Sequence, residues 1–130
     1  MAFDVAWLRA DKVIWVRVGN VMTLEDITDI GKQVQVMLDT SNTNEGVHLL
    51  LDAMNVQEYP KELIKIRNVI AQREYDERII MTLHLTNDYF QHHIMQMLAT
   101  VFHVRIKSFT TYAEVVRYLN MPEMPDFPTQ

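Results

Sequence analysis

The 130 residues carry a formal charge of −5, with 48% apolar and 22% charged side chains and no cysteine. That length suits one domain with a single core, and the acid excess, with a pI near 5.4, argues against a nucleic-acid module, whose domains carry a basic surplus. Without cysteine there are no disulfides, thiolate nucleophiles or cysteine zinc sites, and the redox compartment is left unread.

Val5–Arg9 and Lys12–Val18 are β-rich runs separated by Ala10-Asp11, which predicts an antiparallel hairpin. After Gly19-Asn20, T-L-E-D supplies a cap at Thr23 and acids in a first turn. Leu24, Ile27, Ile30, Val34, Met37 and Leu38 then recur at helical spacing over residues 24–39. D-T-S-N-T-N-E-G, residues 39–46, reads as a loop. Val47–Ala53 reads as a buried strand. Pro60 is placed to open a helix running to about Glu77, with Leu63, Ile66, Val69 and Ile70 inward and a solvated face of five basic and four acidic residues from Lys61 to Arg78. Ile79–Leu85 is another strand. Thr86-Asn87-Asp88 caps a helix whose predicted core face is Phe90, Ile94, Met97, Leu98, Val101 and Phe102. Val104–Phe109 is the last strand. Thr111 and Glu114 form a capping box for a helix with Tyr112, Val115, Val116 and Leu119 on its apolar side.

The order is β-β-α-β-α-β-α-β-α. It predicts an α/β sandwich with a mostly parallel five-stranded sheet and an N-terminal antiparallel hairpin over residues 1–120. Simple alternation puts Ile14, Val16, Val18, Val47, Leu49, Leu51, Ile79, Met81, Leu83 and Leu85 on one wholly apolar face. The other carries Trp15, Arg17, His48, Leu50, Asp52, Thr82, His84 and Thr86. The second face is expected to be thinly covered: either partly wet, or a semi-polar pocket or dimer surface. No apolar run approaches the roughly 18 residues of a membrane span, and charges inside M-A-F-D-V-A-W-L-R-A-D-K predict neither a signal peptide nor an anchor. A cytoplasmic protein is the expectation.

The candidate chemistry is sparse. Asp52 ends the strand L-L-L-D before a polar loop, where open α/β folds place ligands. It reads either as an acceptor for a ligand or partner, or as an acceptor for backbone N–H groups in the turn. General acid–base work would need a second titratable group, and Glu58 is the nearest in sequence. His92 and His93 point roughly 100° apart on a helix, which leaves His48 and His84, on neighbouring strands, as the one pair that could share a ligand. No G-x-G-x-x-G, P-loop, G-x-S-x-G or H-E-x-x-H motif occurs, and three glycines argue against a backbone phosphate cradle. The nine methionines read mostly as packing, with Met37, Met81 and Met97 at core positions. In M-P-E-M-P-D-F-P-T, prolines 122, 125 and 128 and apolar residues 121, 124 and 127 each recur every third position. That is the polyproline II period, so residues 121–130 read as a tail with one proline edge and one apolar edge, either frayed or docked.

The chain resembles the STAS-like domains, the fold of anti-sigma-factor antagonists and of the cytoplasmic tails of sulfate transporters, and most of all the stand-alone bacterial STAS-like proteins. The likeness covers about Phe3 to Leu119. It rests on V-I-W-V-R-V-G-N-V-M-T at 13–23, V-H-L-L-L-D at 47–52 and R-I-K-S-F-T-T-Y-A-E-V-V-R-Y-L at 105–119. It implies a non-enzymatic regulatory or scaffolding module, without cofactor or metal, that binds a protein partner. In the antagonists a serine in a D-S-S-G-like segment after this strand is phosphorylated by the partner kinase. The matching segment D-A-M-N-V-Q-E-Y-P, residues 52–60, holds neither serine nor threonine, and the chain's serines are Ser41 and Ser108. A module lacking that phosphoserine switch is therefore expected. Asp52, Met54, Asn55, Tyr59, Trp15, His48 and His84 are the residues to contact a protein partner, a second copy in a homodimer, or a ligand. The alternative is a carrier of a small apolar molecule or lipid, since related folds bind such ligands between sheet and helices.

Overall fold

A computed structural model describes residues 3–41, 45–59, 61, 77–102 and 105–128. Strands β1 (Phe3–Arg9), β2 (Val13–Val18), β3 (Val47–Asp52), β4 (Ile79–Leu85) and β5 (Ile106–Phe109) form one sheet in sequence order. Helix α1 (Leu24–Thr40) follows β2, α2 (Tyr89–Phe102) precedes β5, and α3 (Tyr112–Tyr118) follows it. β1 and β2 are antiparallel and every later pair is parallel, as the element order predicts. The helix predicted from Pro60 to Glu77 lies outside the described residues apart from Lys61 and Glu77, as do residues 42–44 of the expected loop, His103 and Val104.

Local chemistry explains the ends of the elements. Asp11 closes the hairpin at φ 60°, a left-handed conformation that aspartate tolerates because its short side chain bonds locally. Lys12 N–H donates to the Arg9 carbonyl at 3.0 Å, and the Ser41 hydroxyl donates to Asp11 Oδ1 at 2.8 Å. At α1, Thr23 Oγ1 accepts the Asp26 N–H at 3.0 Å while the Asp26 carboxylate accepts the Thr23 N–H at 2.9 Å, a reciprocal box that satisfies two orphan donors. Ile30, Val34 and Leu38 are the buried stripe of α1. At α3 the Glu114 carboxylate reaches one residue past the cap. It accepts from Thr110 Oγ1 at 2.8 Å and the Thr110 N–H at 3.2 Å, and these bonds hold its pKa below the usual value.

The faces of the sheet differ from the simple alternation. Val47 pairs with Ile79 but His48 pairs with Met81, so Ile80 is an extra residue in β4. An inserted residue moves every later side chain of its strand to the other face. Ile79 therefore packs with Ile14, Val16, Val47 and Leu49 beneath α1, whereas Met81, Leu83 and Leu85 join Trp15 and Leu50 on the side of α3. His84, paired with Leu51 and Ser108, goes the opposite way. Gly46 accommodates the bulge: a Cβ there would sit 2.6 Å from Ile80 Cδ1 and closer still to Cγ1. His48 and His84 thus lie on opposite faces and cannot share a ligand.

The α2 phase also departs from expectation. Phe90 and Met97, predicted inward, are 69% and 48% exposed, while Met95 and Ile106 form the buried contact. Apolar residues occur around much of this helix, so periodicity defines no single stripe. The inward position taken by His92, whose Nδ1 lies 2.8 Å from Ser108 Oγ on β5, is invisible to a count of apolar residues.

The face expected to be thin is covered within one chain. Val115 and Leu119 of α3 pack on Leu50, Leu83 and Leu85, and Met121, Met124 and Phe127 extend that layer. Trp15 and Leu50 are buried by the chain itself, so the expected wet or dimer-forming surface at these residues is replaced by an internal layer.

Candidate functional site

Two polar centres lie at the carboxyl end of the sheet, one on each face. On the α3 side, Asp52 is 1% exposed. Its Oδ2 accepts from Trp15 Nε1 at 3.0 Å and from Tyr112 OH at 2.8 Å, and its Oδ1 accepts the Met54 N–H at 3.2 Å. A buried carboxylate costs on the order of several kcal/mol unless donors replace its water, and here β2, α3 and the following turn each supply one. Burial, and then the bond and charge of Asp52, push the Tyr112 hydroxyl well above its ordinary pKa and keep it a neutral donor. The group binds four segments together.

On the α1 side, Tyr59 OH lies 2.9 Å from Thr86 Oγ1, and its ring stands 6.5 Å from that of His84. His84 is 2% exposed, and among the described residues its Nδ1 has no hydrogen-bond partner. Burial first, then the neighbouring charge of His92, lower its pKa to about 4. Burial also raises Tyr59, against the opposing bond from Thr86.

The turn after β3 joins both centres. Val56 N–H donates to the Ala53 carbonyl at 3.2 Å, Gln57 N–H to the Asn20 carbonyl at 2.7 Å, and Met22 N–H to the Glu58 carbonyl at 2.9 Å. The loop is thereby tied to the β2–α1 connection. Asp88 caps α2 through Oδ1, which accepts from the Phe90 and Gln91 N–H groups at 2.9 and 3.2 Å. Between this cap and the loop lies a cleft of about 630 Å³, lined by Gln57, Glu58, Tyr59, Lys61, Asp88, Phe90, Gln91 and Ile94. Phe90, in its lining, is 69% exposed, and the neighbouring Tyr89 is 73% exposed.

The structure divides the residues singled out in the sequence. Trp15, Asp52 and Met54 meet in the α3-side centre, with Met54 packed against its apolar layer. Tyr59 and His84 belong to the α1-side centre. Asn55 is exposed on the loop. His48 stands apart at the start of β3, edge-on to Tyr118 at 5.8 Å, its pKa lowered by burial. Tyr112, Thr86 and His92 complete the centres; the sequence places Tyr112 on an apolar helix face and Thr86 in a cap, and says of His92 only that it points away from His93. A buried tyrosine needs a partner for its hydroxyl, so Tyr112, on an apolar helix face in a chain with a strand-end aspartate, was the available signal.

The sheet order, the capped helix after β2 and the short helix after β5 define a STAS-like α/β fold. A solved structure of the anti-sigma factor antagonist SpoIIAA in its unphosphorylated form superposes with a TM-score of 0.62 over 92% of this chain and 98% of that one, at 8% sequence identity. At that identity the likeness is one of fold. No protein-family model and no curated protein matches the sequence. Among the described residues, no helix is long and apolar enough to cross a membrane.

Proposed function

We propose that the chain is a non-enzymatic regulatory module that binds a protein partner through the carboxyl-end surface formed by residues 55–59, Lys61 and the start of α2. The observation that supports this reading is Phe90, an aromatic side chain exposed in the lining of the cleft beside the loop, with the exposed Tyr89 next to it in the chain. Large aromatic rings at the centre of a polar surface are the side chains that contribute most to protein interfaces. The fold likeness to an anti-sigma factor antagonist favours the same class of role. The loop from Asp52 to Pro60 holds no serine or threonine, so on this reading binding here is not controlled by a phosphoserine in that segment. The test compares the native chain with Phe90→Glu and Tyr89→Glu variants, both at exposed positions, as baits in the source cell. A specific protein retained by the native chain and lost by both variants supports the surface, and equal retention by all three overturns it.

A second reading, a small-molecule carrier, draws support from the same cleft. Its lining of Gln57, Glu58, Lys61 and Asp88 beside Phe90 and Ile94 suits a polar ligand with an apolar part better than a lipid chain. Native mass spectrometry of freshly purified protein would show added mass under this reading, lost on Tyr59→Ala.

A further inference from the structure

Residues 121–128 carry a regular pattern of contact. Met121, Met124 and Phe127 are half-buried, and every residue between them, with Pro128, is exposed. A three-residue period of burial is what one edge of a polyproline II rod produces when it lies along a surface. The segment leaves α3 at Asn120, whose φ of 60° turns the chain back. Asn120 N–H donates to the Arg117 carbonyl at 3.2 Å and Met121 N–H to the Val116 carbonyl at 2.8 Å, closing the helix end. Met121, Met124 and Phe127 then pack on the layer that holds Trp15, Leu50 and Leu83.

Phe127 is the anchor. Its ring meets Trp15 edge-on with centroids 4.8 Å apart, and the Arg17 guanidinium carbon lies 4.3 Å from its centroid on β2. An aromatic ring between an indole and a guanidinium is a specific seat, because both contacts depend on the ring's quadrupole as well as its area. By contrast, among the described residues no hydrogen bond joins residues 122–128 to the body of the domain. Beyond the Met121 N–H bond to Val116, the contacts that hold the segment among the described residues are those of the Met121, Met124 and Phe127 side chains. It can leave without breaking a backbone ladder.

The seat is connected to the loop after β3. Trp15, which Phe127 covers, donates to Asp52 Oδ2 at 3.0 Å, and Asp52 Oδ1 holds the Met54 N–H at 3.2 Å. We propose that the α3 side of the sheet is a recognition groove for an extended, proline-spaced peptide segment with apolar side chains at every third position and a phenylalanine at the last. The chain's own Met121–Pro128 fills this groove as a replaceable strap, and vacating it loosens the turn at Met54. The occupant recognised in trans is a segment of the same chemistry, because the seated strap shows which side chains the groove reads. This inference stands independently of any partner at the α2 rim.

The test uses the full chain in a Trp7→Phe background, so that Trp15 is the sole tryptophan and is excited selectively over the five tyrosines. The Phe127→Ala substitution is expected to shift Trp15 emission to the red and to speed hydrogen exchange of the Met54 amide several-fold. A synthetic peptide of residues 121–130 should then bind this variant one-to-one and restore both readouts. The unsubstituted chain, whose groove is filled, should need at least ten-fold more peptide, and a peptide with alanine at its phenylalanine position should fail. Adding Arg17→Gln should weaken peptide binding by roughly five-fold, the contribution of one cation–π contact. Unchanged emission and Met54 exchange in Phe127→Ala, or equal peptide binding to filled and vacated chains, would overturn the proposal. Should Phe127→Ala fail to fold, Phe127→Leu keeps the apolar volume and removes the ring contacts, and the same readouts decide.

Discussion

Asp52 and His84 are neighbours in the sheet and opposites in treatment. They sit on adjacent strands one register step apart, Leu51 opposite His84 and Asp52 opposite Leu85, and face different sides. Both are buried. Asp52 receives three donors from three segments, whereas His84 Nδ1 has no partner among the described residues and its pKa is lowered to about 4. The contrast shows two ways to keep a polar group inside a sheet. A carboxylate needs fixed donors in place of water, and an imidazole can shed its charge.

The largest expected effect breaks the donor set. Asp52→Ala strands the buried Trp15 indole N–H and frees the Met54 turn, and should lower unfolding free energy by roughly 3 kcal/mol, since each buried unsatisfied group costs about 1–3 kcal/mol. Urea denaturation measures it. A loss below about 0.5 kcal/mol would remove Asp52 from its role as the joint between β2, β3 and α3.

The next effect tests the neutral imidazole. His84 has its folded pKa depressed from 6.5 to about 4, so its contribution is fully present above pH 6.5 and is lost as pH falls toward 4. The loss is about 1.4 kcal/mol per pH unit across that window. His92, the charge that adds to the shift, and Tyr59 are the titratable groups against its ring. Over pH 7 to 4.5, His84→Leu should flatten the stability curve relative to the parent. Parallel curves for the two proteins would show that His84 is protonated without penalty.

The smallest effect concerns how the two groups came to face apart. Gly46→Ala pushes a methyl into Ile80 at the bulge and should cost about 1–2 kcal/mol as local overpacking. Ile80→Ala removes the opposing atoms, so the double variant should show a favourable coupling in thermal melts. Strict additivity would mean that the bulge relaxes freely around position 46.

Much of the fold was legible. The hairpin, the alternation of strands and helices, and the Thr23 cap follow from local chemistry: β-branched runs, a cap residue three positions before an acid, and a spacing of 3.6. The three-residue period of Met121, Met124 and Phe127 left the tail either frayed or docked, and the half-burial of those three residues follows that period. The α2 phase was not legible, because apolar residues surround that helix and the inward His92 carries no hydrophobic signal. Nor were the faces of β4. One extra residue at Ile80 inverts the pattern of all that follows, and nothing in I-I-M-T-L-H-L distinguishes a bulged strand from a regular one.

The candidate site shows the same division. L-L-L-D followed by a polar loop marked Asp52 as the end of a buried strand, and a buried carboxylate must find donors. Which donors it found was decided only in three dimensions, by Trp15 lying 37 positions before it and Tyr112 lying 60 positions after it. Residue identity by itself determined the described elements, their order and the three-residue period of the tail, because those depend on backbone preference and on periods a few residues long. The tertiary structure alone decided that Asp52 is held by Trp15 and Tyr112, that His84 is left neutral on the far face, and that Phe127 closes over Trp15. Each of those depends on strand register, and register is a property of the packed sheet.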